Sequence, residues 1–579
     1  MNGRFASLRA GFIGISTSAV LIGALAWPML FTNSSFGGDW FHHLWFVWHQ
    51  SLNIRANHVP GLFLDTSFSV YYPQYAFYGG TIYALAGALA LAPGSSPATA
   101  YVFTYLLGLM AAYWGWYWIG RIAGLGRWFA HVPGLTFATS AAYLTLIYGR
   151  GDWPEFLGVS MIPLMIASGA SVVKAKRLNV GPSLALAGSS IVFFGSHDLT
   201  ILWASTLFVI TGLIILACIP DARCTIRGPV IARLAGLVVP ALLVSAWYLL
   251  PTVAYASHTQ IGHSGYVEAR QTLRATIEIV SWHNLFTLSR ANSVYGVPGF
   301  ALSLPILAIF WALASIPISI YSGRLSTEVR MLLIFSGVTV VIVVLMTNLG
   351  MLLALPKPYE LLQFSYRLEN YVLVGLSAII LTALVVVQKG TRRVRVWRWT
   401  IVPVLVVSAI GAIQQTDAYP HAIPRDYVTA GFVGEAFAQK YLDYSDESLP
   451  IVDGESLPDL NFPLAAVHSD RVSVSTHLPA GRRVLTNIDT GPYLVQVTGA
   501  TVVGRAQDGF LVLALDPNAP ARRAARHPAS TPTETISLGP ATGLPIELGR
   551  ILTVMGMAIL AIQIIRLLLM GRWRAAPRS

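Results

Sequence analysis

The sequence predicts an all-α polytopic membrane protein with about twelve transmembrane helices, interfacial helices in the first outer loop and a small α/β or β-rich domain near the C-terminus. Three observations predict it. Hydrophobic residues make up 55% of the 579 residues, charged residues make up 11%, and the mean hydropathy is +0.61. Long apolar segments alternate with short clusters of Arg and Lys. A late polar region instead carries short alternating β-branched runs, which are typical of strands.

The formal charge of +12 comes from basic clusters between apolar segments, as expected for loops on the cytoplasmic side of a membrane. Nucleic acid is therefore not an expected partner. Cys218 and Cys224 are the only cysteines, too few for a disulfide framework or a Cys-based metal site. Lys is scarce beside Arg, which indicates a GC-rich bacterial genome, for which an actinobacterial source is one candidate.

The first apolar segment, residues 11–31, is too long for a signal-peptide core and follows Arg4 and Arg9. We predict a retained anchor with a cytoplasmic N-terminus. Residues 32–97 are rich in aromatic side chains and contain an apolar run, 83–92, that is short for a span, so they are predicted to form an outer loop. Further spans are predicted at 98–120, 130–148, 156–173, 183–195, 199–219, 231–250, 300–320, 331–347, 371–387, 400–413 and 546–570.

This pattern divides the chain into three parts. Residues 1–413 form a transmembrane module, and residues 414–543 form an outer (periplasmic) domain that ends in a linker at 518–538. Residues 544–579 form a last span and a cytoplasmic tail with Arg572, Arg574 and Arg578. Both termini are thus predicted in the cytoplasm of a bacterial inner membrane.

Asp39 is the first candidate for chemistry. It lies just beyond the first span and begins an aromatic stretch with Trp40, His42 and His43 that suits a short helix in the membrane interface. A carboxylate at the boundary between water and lipid can act as a base or bind a cation. The alternative is that Asp39 caps this helix, and the two roles are compatible.

Under the predicted topology, more polar side chains collect at the same outer face. Polar groups at span ends are costly unless they pair or line a wet cavity, so their convergence predicts a site. A base and a cation that holds a leaving phosphate are what transfer from a phosphate-linked donor requires. Besides Asp39, His42 and His43, the candidates are Arg150, Asp152, Glu155, His197, Asp198, Gln363 and Arg367.

Each candidate also has a structural explanation. Glu155 lies near a helix start, where a carboxylate can do no more than interact favourably with the helix dipole. Arg367 can be an interfacial arginine that extends toward the headgroups. His197 and Asp198 can form an ordinary turn. The histidines of the second outer loop, His258, His263 and His283, have no metal-ligand spacing. Glu155 could orient the acceptor or bind a divalent cation such as Mg²⁺ or Mn²⁺.

A resemblance supports the catalytic interpretation. Asp39 after the first span and Tyr72-Pro73-Gln74-Tyr75 resemble the GT-C superfamily of polyprenyl-phosphate-dependent membrane glycosyltransferases. More narrowly, three stretches resemble the bacterial branch called 6-pyruvoyl-tetrahydropterin synthase-related membrane proteins. They are residues 148–155, residues 196–198, and Gln363-Phe364-Ser365-Tyr366-Arg367. Three features of this sequence differ from the usual pattern of that branch. They are Tyr72-Pro73-Gln74, Ser365-Tyr366 and the histidine pair after Asp39.

The resemblance implies that Asp39 is the catalytic base, that Glu155 is the second acidic position and that Arg367 contacts the donor phosphate. We further expect help from His42 or His43 in catalysis, from Arg150 and Gln363 in phosphate binding, and from an outer domain that positions the acceptor. Expected substrate-binding residues are Trp40, Tyr72, Tyr75, His197 and Asp198.

The hypothesis is an inverting transfer of a sugar from a polyprenyl-phosphate donor to a cell-envelope glycan or glycolipid on the outer face. Decaprenyl-phosphate arabinofuranose and decaprenyl-phosphate mannose are candidate donors. Membrane lipids are expected to surround the transmembrane module. Two alternatives stay open. A lipid or polysaccharide transporter calls for polar groups near the bilayer midplane, whereas the spans carry few charges. A non-catalytic scaffold would dock envelope partners through its outer domain.

Overall fold

The computed structural model describes most of the chain and places its helices around one large apolar core. The residues described are 39–66, 69–175, 177–259, 265–280, 305–323, 326–390, 392–416, 446–465, 471–516, 534–541 and 543–575, with 20, 22–27, 29 and 262. Most of the predicted first span therefore lies outside the described residues.

Twenty α-helices are numbered here in chain order. The first ten are α1 Trp40–Asn57, α2 Gln74–Phe77, α3 Gly80–Ala90, α4 Pro97–Ile122, α5 Val132–Ala138, α6 Ala141–Tyr148, α7 Trp153–Lys174, α8 Val180–Phe194, α9 Asp198–Cys218 and α10 Pro220–Thr225. The others are α11 Gly228–Val244, α12 Ala246–Tyr255, α13 Gly265–Ile279, α14 Ile306–Gly323, α15 Thr327–Thr347, α16 Leu349–Leu353, α17 Glu369–Lys389, α18 Arg392–Trp397, α19 Ile401–Thr416 and α20 Leu544–Ala575. Short 3-10 turns cover Phe129–His131, Ala256–His258, Lys357–Leu362, Ser365–Leu368 and Arg398–Thr400.

Within the described residues, six helical segments are long and apolar enough to cross a membrane. They are Trp153–Lys174, Asp198–Cys218, Thr327–Thr347, Ser365–Lys389, Val394–Gly411 and Leu544–Leu569. The pair α11 and α12, bent by 70° at Ser245, makes a seventh if it is one span. The chain is thus a mostly helical, multi-pass membrane protein, with fewer qualifying helices than the twelve spans predicted.

The predicted span 130–148 is wrong in form, because this segment is two short helices, α5 and α6. Thr139 directs its hydroxyl to the carbonyl of Leu135 at 2.7 Å, and Ser140 takes the extended conformation of a helix N-cap with ψ 133°. Hydroxyl side chains that bond to nearby backbone in this way compete with helix continuation. The first stretch ends at Ala138 and a new helix begins at Ala141.

The helix after Asp39 exists, but it is not a short surface helix. It is α1, which has 18 residues, and Trp40, His42, His43 and Trp45 on it are buried. It packs against α3 and α4. Helix α3, at 11 residues, is about 16 Å long and shorter than the hydrocarbon core of a bilayer.

Helices α4 and α7 pack closely and set the position of the site. Gly115 on α4 makes this approach possible, because a Cβ there would lie 2.5 Å from the backbone nitrogen of Leu164 on α7. Gly79 has a similar role just before α3. Its φ is +55°, and a Cβ would lie 2.3 Å from the carbonyl oxygen of Ser196, so a glycine is needed there.

The late polar region folds into strands, as predicted. One sheet has the order β1 (Asp459–Leu460), β3 (Arg483–Thr486), β6 (Leu511–Leu515), β5 (Ala500–Arg505). The second has the order β2 (Val472–Thr476), β7 (Glu534–Pro540), β4 (Val495–Thr498). The linker predicted at 518–538 is wrong from residue 534, because β7 is the central strand of the second sheet. Residues 517–533 lie outside the described residues.

The segment that was predicted as the first outer loop is anchored in this strand domain. Val70 and Tyr71 belong to the same apolar core as Val484 and Leu513, and the amide of Val70 donates to the carbonyl of Asn487 at 3.0 Å. The strand domain is therefore fixed to the loop that follows α1.

Candidate active site

The site is built on the first turn of α7. Asp152 is the N-cap of this helix and accepts a hydrogen bond from the amide of Glu155 at 3.3 Å. Pro154 follows in the first turn, where its missing N–H costs nothing. This turn holds the carboxylates of Asp152 and Glu155 on one side, and both are buried.

Arg150 and Arg367 neutralise these two carboxylates. Nη2 of Arg150 lies 2.5 Å from Oδ2 of Asp152 and 2.7 Å from Oε2 of Glu155. Nε of Arg367 lies 3.3 Å from the same Glu155 oxygen, and its Nη2 lies 3.8 Å from Asp152. Burial alone would raise the pKa of Asp152, but Arg150 and Arg367 hold it well below its usual range. The four side chains form one compact charged cluster.

The segment 363–367 supports the two arginines with aromatic rings. The guanidinium of Arg150 lies 5.1 Å from the ring centre of Tyr366, and that of Arg367 lies 5.1 Å from the ring centre of Phe364. The two rings stack on each other at 5.1 Å. Because cations are attracted to ring faces, this stack fixes the spacing of the two positive charges.

Asn370 completes the cluster from α17. Its Nδ2 donates to Oε1 of Glu155 at 2.6 Å. Both oxygens of Glu155 are therefore engaged, one by an amide and the other by two arginines. A carboxylate whose two oxygens are held in this way is suited to positioning its partners.

Asp39 adjoins this cluster through the backbone. Its amide donates to the carbonyl of Arg150 at 2.8 Å. Asp39 takes the N-cap position of α1, yet its side chain makes no capping bond to the first turn. Capping alone therefore does not explain this residue.

His43 and His197 line the same region from two directions. Nδ1 of His43 lies 2.7 Å from the hydroxyl of Tyr83, and Nδ1 of His197 lies 2.9 Å from the hydroxyl of Thr200. The ring of Tyr78 lies within 6.2 Å of His43 and 5.9 Å of His197. Burial lowers the pKa of His43 to about 4 and that of His197 to about 3, so both are neutral near pH 7.

The other predicted residues are not all at the cluster. His42 and Trp40 are buried on the first turn of α1, and burial lowers the pKa of His42 to about 4. Tyr75 is fully buried, and its hydroxyl donates to the carbonyl of Phe46 at 3.0 Å. Tyr72 is buried and pairs with Leu64 through the backbone. These contacts place both tyrosines in the packing of the loop, away from an open surface.

Gln363 begins the segment 363–367, and Asp198 is the first residue of α9. Gln363 has a φ of +58°, an uncommon conformation for a non-glycine residue that often marks functional turns. Its strained turn presents Phe364 and Arg367 to the carboxylates. Oδ1 of Asp198 is buried without a hydrogen-bond partner among the described residues.

Sequence analysis missed three residues that the structure brings to the site: Asn370, Tyr83 and Tyr366. Asn370 follows Arg367 by three residues, one helical turn, so a search at helical spacing from Arg367 finds it. Tyr366 belongs to the motif Gln363-Phe364-Ser365-Tyr366-Arg367, but no function was predicted for it. Nothing in the local pattern distinguishes Tyr83 from the many other aromatic residues of the loop.

A divalent cation does not fit the two carboxylates as they stand. Arg150 occupies the position between Asp152 and Glu155 that a cation would take. In the part of the chain that the structure describes, no group of three His, Cys, Asp or Glu side chains is arranged to hold a metal ion. The predicted Mg²⁺ or Mn²⁺ stays a prediction, and no step below depends on it.

Comparisons with known proteins give weak similarities in structure. No protein-family model matches the chain, and no curated protein matches it. A cryo-EM structure of arabinofuranosyltransferase AftD from Mycobacteria is similar to 71% of this chain with 16% identity and a TM-score of 0.43. A crystal structure of an oligosaccharyltransferase from Archaeoglobus fulgidus is similar to 78% of this chain, with 14% identity and a TM-score of 0.41.

The chain spans 27% of the AftD chain and 62% of the oligosaccharyltransferase chain. Both structures are named as glycosyl-transferring enzymes.

Proposed function

We propose that the chain is a membrane glycosyltransferase of the GT-C type. It transfers a sugar from a polyprenyl-phosphate donor to a hydroxyl of a cell-envelope glycan or glycolipid on the outer face of the bacterial inner membrane. The observation that carries the proposal is the hydrogen bond between the amide of Asp39 and the carbonyl of Arg150. This bond joins the backbone of the candidate base to that of one of the two clustered arginines.

In this mechanism Asp39 is the general base. Its carboxylate accepts the proton of the acceptor hydroxyl as the hydroxyl oxygen attacks the anomeric carbon. A new carbon–oxygen bond forms on one face, and the bond from the anomeric carbon to the phosphate oxygen breaks on the other, so the configuration inverts. Polyprenyl phosphate leaves with the bonding electrons. A positioned base of this kind contributes about 10²–10⁴-fold to the rate.

Arg150 and Arg367 would stabilise the charge that develops on the leaving phosphate. A guanidinium has five N–H donors, and the carboxylate contacts described for Arg150 use Nη2 alone. Nε and Nη1 remain to meet phosphate oxygens. Fixed donors aimed at developing charge need no reorganisation during the reaction, and the two stacked rings hold these donors in place.

Glu155 and Asp152 then act as positioning residues. They hold the two guanidinium groups together and offset their mutual repulsion. This assignment differs from a direct role of Glu155 at the acceptor or at a metal ion. It follows from the engagement of both Glu155 oxygens by Asn370, Arg150 and Arg367.

The donor identity is tested with purified full-length protein and a panel of polyprenyl-phosphate sugars, including decaprenyl-phosphate arabinofuranose and decaprenyl-phosphate mannose. The expected result is consumption of one donor with release of polyprenyl phosphate in the presence of an envelope glycan acceptor. Consumption of nucleotide sugars in place of every lipid-linked donor would contradict the proposal. A charge-matched control for active-site variants is Asp453→Asn, since Asp453 is exposed in the strand domain.

A further inference from the structure

A cavity lies at the end of the helices opposite to the charged cluster. It has a volume of about 640 Å³, is open on one side, and is lined by the start of α8, the start of α11 and the end of α20. Helix α7 carries Glu155 in its first turn and has 22 residues, which correspond to about 33 Å. Arg177 of the cavity follows the far end of α7, so the two sites are separate.

The cavity has an unusual set of polar groups. Arg177, Arg233 and Arg566 line it, together with Asn179 and Gln563, and no Asp or Glu is among the described residues of its lining. Arg233 is fixed by a bond of 2.5 Å from Nη1 to the carbonyl of Ala175. Three positive charges without a lining carboxylate repel one another, and a bound anion would relieve that repulsion.

Gln563 adds an independent observation. Its Oε1 is buried and has no hydrogen-bond partner among the described residues. Such an atom marks a place that a ligand or a water molecule occupies. Oε1 accepts hydrogen bonds, so the ligand would bring a donor such as a hydroxyl group beside its anionic group.

The surroundings suit a lipid. The remaining lining is mostly apolar, with Leu178, Val180 and Leu567. Ile231 and Ile562, which are next to lining residues on α11 and α20, are 54% and 65% exposed. Exposed aliphatic side chains on membrane helices face acyl chains, while basic pockets at helix ends on the cytoplasmic side suit anionic headgroups.

We propose that this cavity binds the headgroup of an anionic glycerophospholipid from the cytoplasmic leaflet. The phosphate would accept hydrogen bonds from Arg177, Arg233 and Arg566, and a headgroup hydroxyl would donate to Oε1 of Gln563. The acyl chains would lie against α11 and α20. This binding does not depend on the transfer reaction.

The test uses the full chain in nanodiscs of mixed phosphatidylcholine and phosphatidylglycerol, with retained lipid measured by native mass spectrometry. The wild-type protein should retain phosphatidylglycerol selectively. Arg177→Gln with Arg566→Gln should retain it about 30-fold less strongly. Both side chains are exposed, so this pair should fold normally. A matched control on the same face, Arg223→Gln with Arg330→Gln, removes equal charge outside the cavity and should behave like wild type.

A filling variant separates the cavity from general surface charge. Gly236 lines the cavity, and a Cβ there would lie 3.5 Å from Nε2 of Gln563, an ordinary contact. Gly236→Leu keeps every charge and should still lose retained phosphatidylglycerol. Equal retention by the filled variant and the wild type would overturn the proposal, as would equal loss in the control pair. Displacement of the lipid by soluble glycerol phosphate at equal concentration would identify a soluble anion as the ligand and also overturn it.

Discussion

Nδ2 of Asn370 lies 2.6 Å from Oε1 of Glu155, although the two residues are 215 positions apart in the chain. This bond ties the start of α17 to the first turn of α7. The segment 363–367 immediately precedes α17, so the same contact places Tyr366 and Arg367 over the carboxylates of α7. The arrangement of the two arginines thus depends on a pairing between distant parts of the sequence.

Replacing Asn370 by alanine should slow transfer. Oε1 of Glu155 would lose its donor inside a buried cluster, at a cost of about 1–3 kcal/mol. Transfer should fall by about 10-fold or more as Arg150 and Arg367 shift, with a smaller change in donor affinity. Steady-state kinetics with the identified donor measure both. Asn461→Ala, at an exposed position of the strand domain, is the control, and equal rates in both variants would rule out this role.

Replacing Arg150 by methionine should destabilise the protein. The change leaves Asp152 and Glu155 with one cation fewer in a buried setting, and breaking a buried ion pair from one side costs about 3–5 kcal/mol. Thermal unfolding in detergent should show a clear drop in the midpoint. Adding Glu155→Gln to this variant should recover part of the loss, because it removes one of the uncompensated charges. Purely additive losses would argue against electrostatic coupling between the two residues.

Stability should fall as the pH is lowered below about 6.5, the ordinary histidine pKa. Burial lowers the pKa of His43 to about 4 and that of His197 to about 3. Between pH 6.5 and these values the unfolded chain binds protons that the folded chain does not, so the free energy of unfolding falls as the pH is lowered. His43→Gln should flatten the profile measured by thermal unfolding. His58→Gln, at an exposed residue, should leave the profile unchanged, and the account of His43 fails if both variants match wild type.

Tyr71→Ala should loosen the strand domain from the first outer loop. Tyr71 is 4% exposed and packs in the core of that domain, and loss of a buried aromatic side chain costs about 3–5 kcal/mol. Limited proteolysis should cut residues 446–541 faster than in wild type. Tyr321→Ala, at a residue that is 89% exposed, provides the comparison. Unchanged cleavage in the Tyr71 variant would show that the loop does not stabilise the domain.

The sequence was sufficient for the features that depend on local chemistry. Charge clusters and apolar segments indicate a multi-pass helical protein. The β-branched runs at 483–487 and 510–515 correspond to β3 and β6. The polar side chains of Arg150, Glu155 and Arg367 lie together in the structure, and the backbone of Asp39 bonds to that of Arg150. Each of these residues follows or precedes an apolar segment, where burial requires a partner.

The features that depend on distant partners were not predictable. Asn370 has a role only because Glu155 faces it. Tyr71 packs in the strand domain although the loop that carries it is far from that domain in the sequence. The interruption at Thr139 and Ser140 combines the bond from the Thr139 hydroxyl to the carbonyl of Leu135 with the extended backbone of Ser140, and hydropathy registers neither. Helix α4 is not among the membrane-length apolar helices, since its many Tyr and Trp side chains lower its hydropathy.

The most direct test of the central claim compares the sugar-transfer rate of Asp39→Asn with that of Asp453→Asn, at saturating donor and acceptor. If Asp39 is the base, Asp39→Asn should transfer about 10²–10⁴-fold more slowly. Its donor binding and thermal midpoint should match those of wild type. Asp453→Asn should transfer at the wild-type rate. A wild-type rate in the folded Asp39→Asn protein would contradict the claim that this carboxylate takes the proton of the acceptor.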